Sequence, residues 1–219
     1  LLVEVLVGGP ISYPIGDWAA PWGIEYRVDR VSALVLVIVT AIGAVLMPFA
    51  RTSVAHEIAS DRAYLFYTMY LLCLTGLLGI AITGDVFNLF VFLEISSLSS
   101  YVLISIGQDR RALSAAYNYL VMGTVGATFY VIGVGMLYMM TGTLNMADLA
   151  TRLPAVADTR TILMALAFLT VGLSLKLALF PLHMWMPNAY THAPSVVTAF
   201  LAATATKVAV YALIRIYFT

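Results

Sequence analysis

Between residues 31 and 218 the sequence is a succession of apolar stretches, each about as long as a bilayer is thick, joined by short polar connections. Crossing roughly 30 Å of hydrocarbon takes about 20 apolar residues in a helix, since no other open structure satisfies its own backbone there. Six stretches qualify, at residues 31–50, 64–83, 85–106, 112–140, 161–186 and 195–218. The fourth is long enough to tilt or to project from the bilayer. The connections "RTSVAHEIASDR", "TGD", "GQDRR" and "MADLATRLPAVADTR" leave no room for an inserted soluble domain. Residues 1–219 therefore read as a single all-α transmembrane domain, a polytopic helical bundle in contact with lipid.

Composition agrees, with 62% hydrophobic and 10% charged residues in a chain of 219, far from the balance of a soluble domain. Eleven basic residues offset eleven acidic ones. No basic block exists to neutralise a phosphate backbone, so nucleic acid is not expected as a partner. The lone Cys73 lies in an apolar span and reads as a buried thiol. Residues 8–30, rich in Gly, Pro, Trp and Tyr, read as a loop at the membrane boundary. The opening "LLVEVLVGGP" and closing "YALIRIYFT" read as the cut ends of something longer. Arginines in alternate connections divide five to four, which leaves the orientation open.

The charges are partitioned. All nine arginines fall in connections or near span ends, whereas both lysines, Lys176 and Lys207, lie well inside spans. Glu94 is the one acid in mid-span. At about 1.5 Å per residue, Glu94 sits about 14 Å along its helix from Asp85, and Lys207 about 18 Å from Ser195. Each charge at such depth costs about 2.5–3.5 kcal/mol on insertion scales. Snorkelling rescues a lysine near a helix end, but it strains Lys207 and lies beyond the reach of Glu94. A static ion pair leaves one of two lysines without an acid. A proton path accommodates all three, because burial disfavours an ammonium while a nearby carboxylate favours it, so making or breaking the pair moves a proton. In this reading Glu94 sets the proton affinity of Lys176, and Lys207 receives the proton next.

The fifth span, "LTVGLSLKLALFPLHMW", carries Lys176 and then Pro181. Pro181 offers no N–H to Leu177, so the spacing predicts a helix broken about one turn past the lysine. Broken helices are a usual way to build an ion site at membrane depth. His183 and His192 are candidate proton carriers near neutral pH, or interfacial histidines without that role. The serines of "EISSLSSY" read mostly as packing groups and the glycines of "GTVGATFYVIGVG" as close helix contacts. Neither a haem nor an iron–sulfur cluster finds ligands, and no cofactor or metal is expected.

These stretches resemble a known family. "TGDVFNLFVFLEISSLSSYVLI", "GTLNMADL" and "LKLALFPLHMWMPNAYTHAPSVVTAFLAATATKVAVYALIR" are similar to the proton-conducting antiporter-like subunits of Mrp-type cation/proton antiporters and respiratory complex I, with the Mrp D subunit nearest. The resemblance implies a relay of a glutamate on the fifth helix, a lysine on the broken seventh and a lysine on the eighth, matched by Glu94, Lys176 and Lys207, with His183 on the same polar axis. It implies a fold of about fourteen helices with two inverted repeats, of which these six spans correspond to helices three to eight. The second repeat would then lie outside this sequence. The implied function is a proton-translocating subunit of a multisubunit Na+/proton antiporter in the inner (plasma) membrane, partnered by other membrane subunits and without bond chemistry of its own. Alternatives are an antiporter-like subunit of an NADH:quinone oxidoreductase or membrane-bound hydrogenase, a structural or assembly subunit, and a solute carrier.

Overall fold

The computed structural model describes residues 1–218. Six helices in it are long and apolar enough to cross a membrane. They are α2 (Arg30–Glu57), α3 (Ala63–Ile82), α4 (Val86–Ser105), α5 (Arg110–Thr141), α7 (Arg160–Leu177) and α9 (Ser195–Phe218). Short helices α1 (Leu2–Gly8), α6 (Met146–Arg152) and α8 (Trp185–His192) flank them.

Helix starts follow from side-chain caps. Asp29 accepts hydrogen bonds from the Val31 and Ser32 amides, Asp85 from Asn88, Asp109 from Arg111, and Asn145 from Ala147 and Asp148. Each satisfies amides that have no partner within their own helix. At the other end of α5, Gly142 takes the left-handed conformation that glycine adopts without steric cost, and its amide closes on the Tyr138 carbonyl at 2.7 Å.

Packing runs through α3, α4, α5 and α7 in sequence order, with α9 closing against α2, α3 and α7. The α5–α7 seam is built on small residues, as the glycine pattern predicts. A Cβ on Gly172 would come within 2.7 Å of the Gly126 carbonyl oxygen, so the two backbones touch there.

Three boundaries depart from the sequence reading. The first span continues through Pro48 to Glu57 rather than ending at residue 50. One turn before that proline, Tyr70 Oη of α3 donates to the Gly43 carbonyl at 2.8 Å and ties the two helices together. Residues 8–30 are not simply a loop: β1 (Ile11–Pro14) and β2 (Glu25–Val28) pair antiparallel, with Ile11 opposite Val28 and Pro14 opposite Glu25. The connection after α5 contains α6, capped by Asn145.

Candidate functional site

The helix break comes sooner than Pro181 alone predicts. α7 ends at Leu177, one residue past Lys176, and Ala178 adopts φ 57°. A left-handed alanine costs roughly 1–2 kcal/mol. Here it closes the helix end: the Leu179 amide donates to the Ser174 carbonyl at 2.9 Å and the Ala178 amide to Leu175 at 3.3 Å, the paired bonds of a Schellman motif. The residue before a proline avoids the helical region, so termination upstream of Phe180 is expected. Pro181 therefore sits in the exposed turn beyond the break, where the Leu182 amide bonds the Leu179 carbonyl.

Trp185, the first residue of α8, folds back onto the broken end. Its indole Nε1 donates to the Leu175 carbonyl at 3.0 Å, and its ring stacks on Tyr119 of α5 at 3.9 Å between centroids. Carbonyls freed by the break are thus bonded by protein at membrane depth.

Lys176 is held by this end and is 8% exposed. Its Nζ meets Glu94 Oε1 of α4 at 3.0 Å and donates to Ser97 Oγ at 2.6 Å. Glu94 and Ser97 are three residues apart on one helix and so share a face. The sequence assigns the serine cluster mostly to packing. That describes Ser96, Ser99 and Ser100, whose hydroxyls bond carbonyls within their own helix, but it misses Ser97. The signal that finds Ser97 is its spacing from Glu94.

Beside the pair lies a cavity of about 20 Å³, lined by Ser97, Ser100, Tyr119, Lys176, Ala205 and Ala209 among others. That is room for about one water molecule with polar partners.

Lys207 is not part of this contact. Ala205 and Ala209 on either side of it line the cavity, so at about 100° per residue the lysine points out of the opposite face of α9. It is exposed, and its Nζ donates to the Ala202 carbonyl at 2.5 Å and to Thr206 Oγ1 at 3.2 Å. His183, in the turn between α7 and α8, is half-buried, and its Nδ1 finds no partner among the described residues. Its ring lies 5.5 Å from that of Phe180. His192 instead pairs with Asp109 Oδ2 at 3.1 Å, at the membrane face where α5 begins. The site's directly bonded core is thus Glu94, Lys176 and Ser97, with Lys207 and His183 apart from it.

A second ionic cluster sits at the opposite face, where α9 ends and α2 begins. Arg215 Nη2 meets Asp29 Oδ2 at 2.7 Å and donates to Ser32 Oγ at 2.6 Å, while Nε donates to Tyr211 Oη at 2.7 Å. Tyr211 in turn donates to the Ala81 carbonyl at 2.9 Å, tying α3 into the cluster.

Comparison with known proteins places this geometry. The chain is 47% identical over 218 residues to the N subunit of the NADH-quinone oxidoreductase of Desulforudis audaxviator, covering 99% of this chain and 43% of the relative. It is 34% identical over 217 residues to the D subunit of the Na(+)/H(+) antiporter of Alkalihalophilus pseudofirmus, with the same coverage. The identity to the oxidoreductase relative thus exceeds that to the antiporter relative, the reverse of the order the motifs suggest. Among solved structures, a chain of the membrane-bound sulfane sulfur reductase, an archaeal respiratory membrane complex, superposes with a TM-score of 0.91 at 35% identity, over 98% of this chain and 43% of that one. The chain spans less than half the length of these relatives. The family described as "NADH:quinone oxidoreductase/Mrp antiporter, TM" matches residues 83–219, the stretch that contains both the ion pair and the broken helix. With six membrane-length helices, the chain is a multi-pass membrane protein and belongs to the NADH:quinone oxidoreductase/Mrp antiporter transmembrane family.

Proposed function

We propose that the chain is a proton-translocating portion of an antiporter-like membrane subunit, with the Glu94–Lys176 pair as its exchange point. One observation carries the reading: a buried lysine meets a partly buried glutamate at 3.0 Å, at the end of a helix broken there, beside a cavity of water size. Breaking the contact leaves a buried ammonium without its counter-charge and favours release of its proton; remaking it favours uptake. Ser97 Oγ is a third group in reach of the proton. Lys207, exposed on the face of α9 away from the cavity, takes the proton next. His183 serves the same axis on the side of the break.

The chain makes and breaks no covalent bonds in this reading. It works with other membrane subunits in a cell's inner (plasma) membrane, exchanging protons for a monovalent cation, Na+ in the leading version. A second version is favoured by the higher identity to the N subunit of an NADH-quinone oxidoreductase, 47% against 34% for the D subunit of an antiporter. There, redox energy in a partner drives the same pair.

The test is proton flux into vesicles carrying the full-length complex, with Lys176→Ala set against wild type. Flux is expected to fall roughly a hundredfold, the scale on which a positioned proton-transfer group contributes. Unchanged flux at equal complex yield overturns the proposal. Flux driven by an imposed Na+ gradient supports the antiporter version, and flux that appears only with an electron donor supports the respiratory one.

A further inference from the structure

At the membrane face where α9 ends, two cavities adjoin and share Met146 and Arg215. One, of about 270 Å³, is lined by Glu25, Arg27, Asp29, Gly84 and Arg215 among others. The other, of about 290 Å³, is lined by Leu137, Leu149, Leu153, Leu166 and Leu169 with further apolar residues. Their linings run from the surface hairpin into the helical bundle. Leu169 lies nine residues into α7 from Arg160, about 14 Å towards the bilayer centre, while Glu25 and Arg27 belong to the hairpin at the surface. A polar chamber at the interface that opens into an apolar one running inward has the layout of a single leaflet lipid.

The charges specify the headgroup. Asp29 and Arg215 compensate one another. The Glu25 carboxylate is held by neutral donors only, Ser12 Oγ at 2.5 Å and Asn145 Nδ2 at 2.9 Å, and the Arg27 side chain makes no hydrogen bond or ion pair among the described residues. Two residues apart on a strand, Glu25 and Arg27 point to one face. The chamber therefore presents one uncompensated carboxylate and one uncompensated guanidinium. Arg215 adds its Nη1, which bonds nothing among the described residues. A cationic amine beside a phosphodiester matches that set; a purely anionic headgroup leaves Glu25 unmatched and repelling it.

We propose that these cavities form a binding site for phosphatidylethanolamine. Its phosphate lies against Arg27 and Arg215 Nη1, its ammonium against Glu25, and one acyl chain lies in the leucine-lined cavity. The site is separate from Glu94 and Lys176 and does not depend on their role.

The test uses the full-length subunit reconstituted into lipid nanodiscs holding equal phosphatidylethanolamine and phosphatidylglycerol in phosphatidylcholine, then released into detergent for native mass spectrometry. Wild type is expected to retain one phosphatidylethanolamine per subunit, preferred about tenfold over phosphatidylglycerol, a free-energy difference of about 1.4 kcal/mol. Ala150 is an exposed residue lining the apolar cavity, and Ala150→Trp is expected to lower retention of both lipids. Glu25→Gln, in the surface hairpin outside the helical bundle, is expected to erase the preference for phosphatidylethanolamine while leaving total retention in place. Equal retention in wild type and Ala150→Trp, or an undiminished preference in Glu25→Gln, overturns the proposal. So does a structure of the full-length subunit in which its own polypeptide fills the two cavities.

Discussion

Asp29 and Arg215 meet at 2.7 Å where α9 ends, and Glu94 meets the buried Lys176 at 3.0 Å between α4 and α7, in the more interior of two partly buried pairs, yet the two are bonded to different degrees. In the edge pair, Asp29 Oδ1 accepts two backbone amides and the Ser32 hydroxyl, and the guanidinium is divided among Asp29, Ser32 and Tyr211. In the interior pair, Glu94 Oε2 accepts nothing among the described residues, and Lys176 spends its bonds on one carboxylate oxygen and one hydroxyl. A densely bonded ionic network fixes the packing of the elements that contribute to it. A sparsely bonded pair beside a cavity keeps capacity for water and for a change of partner. The difference separates an ionic contact that holds helices from one able to exchange protons.

The largest effect expected from this contrast is on transport. Glu94→Gln keeps the shape of the side chain and removes its charge, so proton flux through the full-length complex should fall roughly a hundredfold. The yield of folded complex should stay near that of wild type. If flux persists while yield collapses, the interior pair is as static as the edge pair, and a structural subunit is the better description.

Asp29→Ala is the mirror experiment. It removes the cap of α2 and strands a half-buried guanidinium, for a combined loss of about 2–3 kcal/mol. Thermal unfolding of the purified subunit should show it, while flux per folded complex remains within about twofold of wild type. A flux loss equal to that of Glu94→Gln would erase the distinction between the pairs. Smaller again is Ser97→Ala. It deletes a hydrogen bond to a charged group, worth about 1.5–3 kcal/mol at most, and leaves the carboxylate contact in place. Flux should fall by less than in Glu94→Gln.

How much of this is legible in the sequence differs by residue. The six membrane helices are, because apolar length alone decides them, and so is the placement of Glu94 and Lys176 within two of those helices. The partnership of Ser97 can be read from its three-residue spacing to Glu94. The direction of Lys207 cannot: the apolar residues of α9 are spread with little directional bias, and such a helix does not announce which face turns inward. The position of the break is only half visible, since Pro181 disfavours continuation, which α2 nevertheless achieves at Pro48, and does not say that Ala178 will take the left-handed turn three residues earlier. The β1–β2 pairing is hidden because Gly, Pro and aromatic residues dominate the stretch and only four residues on each side form the ladder.

The finest way to separate the two pairs is by acid. Burial raises the affinity of the Asp29 carboxyl for a proton, but the Ser32 amide and the Arg215 guanidinium together outweigh it, holding its pKa below the ordinary value of 3.8. Unfolding releases the carboxyl to that ordinary value, so the unfolded chain binds the proton more readily than the folded one. The clasp's contribution is therefore fully present above pH 3.8 and is lost only as pH falls through the lower value of the folded state. Between neutrality and about pH 5, thermal stability of wild type and of Asp29→Asn should differ by a constant amount, and the two curves should converge only in stronger acid. Because the edge cluster exchanges no proton in that range, any pH dependence of flux between about pH 5 and 8 has to arise elsewhere, and Asp29→Asn should leave its profile unmoved. A profile that shifts with Asp29→Asn would mean that the densely bonded cluster and the sparse one are coupled through α9, the helix that carries Arg215 and lines the cavity beside Lys176.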